Sequence, residues 1–573
     1  MKTLIRSMAV FIVFVFAIVS LSACGAGTKD SGTVEKAADN STADSTAPAP
    51  AQEEKKPEGP SWKQDTSPVT IDWFFNFSWY DKVWDTEKVE LDKYITEKTG
   101  VTVNIMIPAT DDGAKLSAMI AANEFPDVIT TDLWTAQNDA LVNGGHLYPL
   151  FELADQYAPE FKNMLPKSMV DFSKTKYKDF YFFVSDVYCP ERMKPDDRRA
   201  VGNTIIVRED LMKQVGLTPE DFNTSDKFLE SMKKVRDAKL KYKDLPVSTL
   251  YFGPNGGVGD ALLYMLPSMF GARYLDASNN YSDLKLDPKH LDALLFANRL
   301  FREGLLTKEN FTSERKQIEE KIASGTLFCL VAETADYRTP VQTLFSSDNA
   351  AKYIPLDAVT QDGTPPVYIQ DMGGWSVTAV TKNAKKPDRI IRFLEYLYSD
   401  EGQMDTLVGI KDKHYIINAD GKVQWSDEIL KVKAENPDAM AKQYGLMTFW
   451  WLWDVLYKER HVYSQNSSPV DTMWNAIRYA QSKYSKTSNA FFNIDPDSSS
   501  ELSTKLSEIS QYWESQLTKI VLAKDEQTSI SLYNAGVEQM KKMGLDEIIK
   551  YRDEKFNKNL KDYGIDPATI YTK

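Results

Sequence analysis

Cysteine and histidine are scarce in this chain of 573 residues, which contains three cysteines and four histidines. Cys189 and Cys329 stand far apart in the sequence, with neither a CxxC spacing nor a cysteine/histidine cluster. This pattern predicts no metal centre, no other cofactor and no histidine-based nucleophile. One disulfide between these two cysteines and two buried free thiols are both compatible with it.

Clusters of basic residues and long apolar runs are also missing from most of the chain. The sequence holds 68 Lys and Arg against 82 Asp and Glu, a formal net charge of −14. Binding to phosphates requires clustered cations, so the sequence predicts no nucleic-acid partner. A membrane-spanning helix needs ~20 apolar residues, and no such run occurs after Ser20.

The one long apolar run, Ala9–Ser20, follows Lys2 and Arg6 and leads into the tetrapeptide LSAC that ends at Cys24. A charged start followed by an apolar run of this length is typical of an export signal. The tetrapeptide resembles the lipobox of bacterial lipoproteins. That resemblance implies a signal peptide at 1–23 and a lipid anchor on Cys24, palmitate included, at the extracytoplasmic face of the cell membrane. An ordinary cleaved signal or a short membrane anchor is the alternative interpretation.

Residues 24–66 are rich in Ser, Thr, Ala, Asp, Glu, Lys and Pro and nearly free of large apolar side chains. Such a segment cannot bury a core, so the sequence predicts a lipid-anchored disordered linker. About 500 residues remain for folded structure, enough for two large lobes or three small domains.

Strand and helix patterns alternate after this linker. The predicted strands are 69–75, 101–107, a short run at 128–129, 325–331 and 374–381. The predicted helices are 83–98, 115–123, one that begins at Asp287-Pro288, and 387–399, with a mainly helical region after 403. This alternation predicts an α/β fold.

Several short segments occur in a specific order between residues 68 and 409. They are 96–103 (TEKTGVTV), 125–129 (FPDVI), 145–150 (GHLYPL), 203–211 (NTIIVREDL), 300–306 (LFREGLL) and 399–402 (SDEG). Their order resembles that of family 1 extracellular solute-binding proteins of carbohydrate ABC transporters. It is most similar to the long lipoprotein members of Gram-positive bacteria that accompany oligosaccharide importers. An insertion at 188–200 departs from the family pattern.

The resemblance implies a two-lobed, periplasmic-binding-protein-like α/β fold of type II, with a hinge between lobes that are each a mixed sheet flanked by helices. The approximate bounds are 67–205 and 330–400 for the first lobe, and 206–329 and 401–573 for the second. It also implies a monomeric binding protein, not an enzyme, which captures an oligosaccharide between the lobes and delivers it to the permease subunits of an ABC transporter. An exported glycoside hydrolase, or a binding protein for peptides or another solute, is the alternative.

A sugar offers apolar C–H faces and a rim of hydroxyls, so its receptor needs aromatic platforms with polar groups at their edges. Ligands bind outside the carboxyl ends of strands in open α/β sheets, which favours side chains that follow predicted strands. Core packing is the alternative for each aromatic ring, and a plain surface position is the alternative for the arginine. The candidate ligand-binding residues are Trp79, Asp132, Trp134, Tyr251, Asn255, Arg338, Trp375, Trp451 and Trp453.

Two loops need separate interpretation. The glycine-rich stretch at 253–257 lacks the lysine of a phosphate-binding loop, so a mobile cleft loop that offers Tyr251 and Asn255 is predicted instead. The run 495–501 (DPDSSSE) lacks the glycine and spacing of a calcium loop, so a solvated loop is predicted there. Arg338 is a candidate clasp for a hydroxyl or a uronate carboxylate.

Overall fold

The structure is a computed structural model of the full chain. It describes residues 59–572, apart from 111–112, 134, 186, 195–196, 254–260, 371–373, 420, 436–438, 453, 464–467 and 499.

The described strands include those predicted at 69–75 and 101–107, which are confirmed. They are β1 (Val69–Phe75), β2 (Val101–Met106), β3 (Val128–Asp132), β4 (Phe183–Val184), β5 (Asn203–Arg208), β6 (Lys241–Tyr242), β7 (Leu245–Pro246), β8 (Ser248–Phe252), β9 (Leu327–Glu333), β10 (Tyr353–Pro355), β11 (Tyr368–Gln370), β12 (Ser376–Val380), β13 (Tyr415–Ile417), β14 (Val423–Trp425) and β15 (Ser485–Thr487).

The described helices alternate with these strands and dominate after residue 400. They are α1 (Glu90–Thr99), α2 (Ala114–Ala122), α3 (Ala136–Asn143), α4 (Leu150–Tyr157), α5 (Glu160–Met164), α6 (Lys167–Tyr177), α7 (Glu209–Gln214), α8 (Ser225–Asp237), α9 (Leu266–Met269), α10 (Pro288–Arg302), α11 (Arg315–Ala323), α12 (Arg338–Ser347), α13 (Pro387–Tyr398), α14 (Asp400–Leu407), α15 (Asp427–Glu435), α16 (Ala439–Lys442), α17 (Val455–Lys458), α18 (Pro469–Arg478), α19 (Glu501–Val521), α20 (Glu526–Lys542) and α21 (Leu545–Tyr563).

The first sheet has the strand order β2-β1-β3-β12-β4. β1 runs parallel to β2 and β3, whereas β12 runs antiparallel to β3 and to β4. Ile71, Trp73 and Phe75 of β1 are buried, because alternate residues of a strand point to the same face and this face meets the core. The carboxyl ends of β1 and β3 and the start of β12 therefore lie at one edge of the sheet.

The second sheet has the order β10-β5-β9-β8. β8 is parallel to β9, and β5 is antiparallel to both β9 and β10. Each of the two sheets is mixed, is flanked by helices and has its own large buried core, one around β1, β3 and β12 and another around β5, β8 and β9. The predicted fold class, an α/β two-lobed fold of type II, is confirmed.

The membership of these cores differs from the predicted lobe bounds. Strand β9 and residues up to Val359 pack in the second lobe, although 330–400 was assigned to the first. Conversely, buried residues between Leu407 and Leu452 pack in the first core, although 401–573 was assigned to the second. The reason is that a strand in the middle of a sheet belongs wholly to that sheet, and buried side chains of α14, α15 and α16 pack in the first core before the chain returns to the second lobe.

The start of α10 agrees with the capping pattern in the sequence. The Asp287 side chain accepts a hydrogen bond from the backbone N–H of Lys289, and Pro288 occupies the first helical position. The buried face of α10 packs against α19 and α20, so these three helices share the core of the second lobe.

Neither described cysteine forms a disulfide, which decides between the two alternatives for Cys189 and Cys329. Both thiols are buried, the first in the core of the first lobe and the second in that of the second lobe. Within the described part of the chain, none of the helices combines the length and apolar character that crossing a bilayer requires.

Candidate functional site

A cavity of about 1000 Å³ lies between the two lobes. Its walls include the carboxyl end of β3, the start of β5 and the end of β9 in the second sheet, and one face of helix α21. The segments around residues 188–202, 369–370 and 491–498, which we call the crossing segments, contribute further parts of the walls. The described lining residues include Leu133, Thr135, Lys176, Tyr188, Arg199, Gly202, Asn203, Tyr264, Lys285, Glu333, Ile369, Gln370, Asp497 and Arg552. A volume of this size accommodates a ligand of several sugar units.

Four aromatic rings, Phe77, Trp79, Trp375 and Trp450, form what we call the aromatic stack. The Trp375 ring lies 4.7 Å from Phe77, 5.8 Å from Trp79 and 5.4 Å from Trp450, measured between ring centroids. The planes of Trp375 and Trp450 are nearly parallel, with an angle of 5°. Trp79 is 50% exposed and Trp375 and Trp450 are half-buried, so the stack presents ring surface to solvent.

The start of β12 positions Trp375 beside the cavity. Ser376 pairs with Asp132 at the end of β3, and the Leu133 N–H donates to the Trp375 carbonyl over 2.9 Å. Leu133 in turn lines the cavity. Gly374 has φ of +127°, and a Cβ there would approach Val184 to 2.8 Å, so the turn before β12 requires glycine.

The loop that carries Trp79, residues 76–89, is fixed to the first lobe at two points. The Tyr80 hydroxyl donates to the Thr448 carbonyl over 2.7 Å. The Asp85 N–H donates to the carboxylate of Asp92 over 2.9 Å. Burial raises the pKa of Asp92 to about 7. The position of the exposed Trp79 ring is therefore set by buried contacts.

The facing edge of the second lobe brings Asn203 and Glu333 together at the start of β5 and the end of β9, where they are register partners. A Cβ on Gly202 would lie 1.5 Å from Glu333 Oε1, so a larger residue there would displace this carboxylate from its present position. The Oδ1 atom of Asn203 is buried and makes no hydrogen bond to the described residues. An amide oxygen of this kind is suited to accept a hydrogen bond from a ligand hydroxyl.

The insertion at 188–200 is part of the hinge region. Arg192 pairs with Asp454 over 2.6 Å, and Arg460 pairs with Asp197 over 2.5 Å. These ion pairs join the insertion at 188–200 to the segment 454–460, which lies far away in the sequence. Nearby, β11 and β15 form a short parallel ribbon that joins two further segments at the crossing. The hinge is thus built from several cross-linked segments.

Three of the sequence-predicted site residues lie together. Trp79, Asp132 and Trp375 share the carboxyl edge of the first sheet. None of the three is among the described lining residues of the cavity, which this edge adjoins through Leu133. Cys24, Trp134, Asn255 and Trp453 lie outside the described residues. Leu133 and Thr135, which flank Trp134, both line the cavity.

Three other candidates lie away from the exposed carboxyl edge of the first sheet. Trp451 is fully buried in the first core, 4.5 Å from the ring of Tyr80, and has no face to offer a ligand. Tyr251 is not in a loop but in β8, and it is 4% exposed because it packs in the second lobe. Arg338 begins α12, with its guanidinium 5.8 Å from the ring of Trp474, and it is not among the described lining residues.

Sequence reasoning missed several residues of this site. Trp450 belongs to the aromatic stack, although its neighbours in the run FWWLW were chosen as candidates. Glu333 could have been found, since it follows a predicted strand. The loop at 495–501 was expected to be solvated, and the exposed Asp495 and Asp497 of that loop also line the cavity. No group of three His, Cys, Asp or Glu side chains among the described residues is arranged to hold a metal ion.

A cleft between two mixed α/β lobes, with aromatic and polar groups at the facing sheet edges, defines a solute-binding protein. The chain belongs to the bacterial extracellular solute-binding protein family, whose model matches residues 77–404. Lipoprotein LipO of Bacillus subtilis (strain 168) is 23% identical over 349 residues. That match spans 57% of this chain and 63% of LipO, which is less than two thirds of that relative.

Several solved structures share the fold. The alginate-binding protein AlgQ2 without calcium ion has a TM-score of 0.61 and 19% identity, covering 86% of this chain and 98% of its own. The S. pneumoniae ABC-transporter substrate binding protein FusA in complex with kestose has a TM-score of 0.61 and 14% identity, and the match covers 86% of this chain and 100% of FusA. The N-glycan transport solute binding protein NgtS from Streptococcus pneumoniae has a TM-score of 0.57 and 14% identity, and the match covers 87% of this chain and 100% of NgtS.

Proposed function

We propose that this protein captures an oligosaccharide in the cavity between its lobes and delivers it, as a lipid-anchored monomer, to the permease of an ABC importer. The observation that carries the proposal is the aromatic stack at the carboxyl edge of the first sheet, which adjoins the cavity through Leu133. Exposed tryptophan faces bind the apolar faces of sugar rings, and neighbouring amide and carboxylate groups bind the hydroxyls. Names among the structural relatives agree with a saccharide: alginate for AlgQ2, kestose for FusA and N-glycan for NgtS.

The proposed mechanism is closure of the lobes over the ligand. A ligand shifts the equilibrium to a closed state only if it binds that state more tightly. Here a sugar that stacks on the first lobe and also binds Asn203 or Glu333 contacts both lobes, so such a ligand would favour the closed state. The closed form would then present both lobes to the permease, and no covalent chemistry is required of the protein.

A thermal-shift panel of oligosaccharides and peptides tests the proposed ligand class. Because binding to the folded state alone stabilises it, a ligand at 100 times its dissociation constant adds ~2.7 kcal/mol to the free energy of unfolding. We expect at least one oligosaccharide of three or more units to raise the melting temperature, and peptides to leave it unchanged.

The same panel separates the alternatives. A shift with peptides and none with saccharides would contradict the proposal. Each saccharide that binds is then incubated with the protein and analysed by chromatography, and shortening at catalytic rates would identify a glycoside hydrolase instead. Recovery of the intact saccharide supports a binding protein.

The proposed anchor makes a separate prediction. Replacing Cys24 by serine removes the thiol that would carry the acyl chains, and lipid chains hold by burying methylene groups at ~0.8 kcal/mol each. We expect Cys24→Ser to abolish incorporation of an alkyne-labelled palmitate and to move the protein from the membrane fraction to the soluble fraction. Cys189→Ser is the matched control and should keep both label and membrane attachment. Retention of label in Cys24→Ser would disprove the anchor.

A further inference from the structure

One face of the C-terminal helix α21 forms part of the cavity wall. Tyr551, Arg552, Lys555, Lys558 and Asn559 all line the cavity. Their spacing of three or four residues places them on one side of an α-helix. Asn559 fixes the helix against the segment 490–492, since its Nδ2 donates to the carbonyls of Ala490 and Phe492 over 3.1 and 2.7 Å. This helix lies outside residues 77–404, which the family model matches.

The charge of the cavity lining is opposite to that of the chain. Six basic and four acidic side chains are among the described lining residues, a formal charge of +2. The chain as a whole carries a formal charge of −14. The cavity of an acidic protein therefore has a lining that is basic on balance, and walls of low dielectric strengthen its field.

Three of the six lining cations are held by carboxylates that are themselves buried or line the cavity, and a fourth, Arg199, donates to the Thr487 hydroxyl over 3.0 Å. Arg552 binds Asp495 over 2.6 Å, Lys285 binds Asp283 over 2.9 Å, and Lys176 binds the buried Asp139 over 2.8 Å. Burial opposes the ionisation of Asp283, but Lys285 and Arg552 outweigh it and keep the pKa of this carboxyl below its usual value.

Two lysines of α21 differ from these. Lys555 makes no ion pair with the described residues, and its ammonium lies 5.5 Å from the ring of Tyr551. Lys558 pairs only with the exposed Asp562, one turn further along the helix. Both lysines are exposed at the cavity wall. Flexible, solvated ammonium groups of this kind can turn towards an anion without breaking a buried contact.

We infer that the cavity selects an acidic oligosaccharide, one that carries carboxylate or sulfate groups, and that Lys555 and Lys558 determine this specificity. The inference rests on the proposed function, because it names the class of saccharide that the same cavity binds. The aromatic stack and the polar sheet edges bind the sugar rings, and the lysine face of α21 binds the anionic groups along one side of the chain.

Isothermal titration of the full chain in detergent micelles with matched saccharides tests the inference. Oligogalacturonate is compared with the galactose oligomer of the same linkage, oligomannuronate with the mannose oligomer, and a sulfated galactose oligomer with its unsulfated form. We expect at least one acidic member to bind more tightly than its neutral partner, with an affinity that falls as salt screens the charges. In the variant Lys555→Gln/Lys558→Gln, this affinity should fall about tenfold while neutral saccharides are unaffected.

A matched variant separates a local effect from the change in net charge. Lys550 and Lys561 lie on the same helix, are exposed, and are not among the lining residues. Lys550→Gln/Lys561→Gln should therefore retain the wild-type affinities, and both double variants should melt at the wild-type temperature. The inference is overturned if neutral members bind as tightly as their acidic partners, or if both double variants behave alike; the proposed function survives either result. If no saccharide of either kind binds, the proposed function fails as well.

Discussion

Replacement of Trp375 by alanine is expected to weaken oligosaccharide binding by about 30- to 150-fold, a loss of ~2–3 kcal/mol typical of a central aromatic anchor. Trp375 is the ring that contacts each of the other three members of the aromatic stack. Its loss removes one platform and the ring contacts that Trp79 and Trp450 make with it. Calorimetry with the saccharide that gives the largest thermal shift measures the effect.

Two control variants test whether the loss of affinity comes from the flat ring at position 375. Trp375→Phe keeps a flat ring at the same position and should recover most of the affinity. Trp425→Ala removes a tryptophan of β14 that is buried in the core of the same lobe, outside both the stack and the loop 76–89. We expect Trp425→Ala to lower the melting temperature but to bind saccharide as the wild type does. Equal losses of affinity in Trp425→Ala and Trp375→Ala would show that the stack is not the binding surface.

His290→Phe is expected to make the protein more stable in acid, by about 2 kcal/mol at pH 5. His290 is fully buried between the rings of Trp513 and Tyr533, and neither ring nitrogen has a hydrogen-bond partner among the described residues. Burial lowers the pKa of this imidazole from 6.5 to about 3. As the pH falls below 6.5, the unfolded chain binds a proton that the folded chain cannot, so stability decreases with acidification.

Thermal unfolding between pH 4.5 and pH 8, followed by tryptophan fluorescence, measures this effect. The difference in melting temperature between His290→Phe and wild type should grow as the pH falls. His290→Leu should show the same dependence on pH, although leucine has no ring to pack against Trp513 and Tyr533. His146→Gln changes a half-buried histidine of the first lobe and should leave the pH profile of the second lobe unaltered. An identical pH profile for wild type and both His290 variants would contradict the expectation.

The elements that frame the site follow from local sequence. The alternation in 69–75 and 101–107 fixes two strands, and the pair Asp287-Pro288 fixes the start of a helix. Because strand ends gather at one edge of a sheet, the positions of Trp79, Asp132 and Trp375 could be anticipated without knowing the fold in detail.

Other parts of the site depend on contacts between distant segments. In the run FWWLW, a single tight turn decides which rings face inwards, and Trp451 packs against Phe75 and Tyr80, which lie far away in the sequence. The same limit applies to α21. Its periodicity identifies a face, but only the contact of Asn559 with the segment at 490–492 decides that this face meets the cavity.

The two buried thiols make this protein convenient for spectroscopic study of its motion. Burial raises the pKa of Cys189 to about 12 and also raises that of Cys329, so neither sulfur forms a reactive thiolate near neutral pH. Thiol-directed fluorophores would therefore leave both native side chains unlabelled in the folded protein. A pair of cysteines introduced at exposed sites, one on each lobe, could carry a donor and an acceptor dye, and energy transfer between them would report the opening and closing of the cleft as a sugar is added.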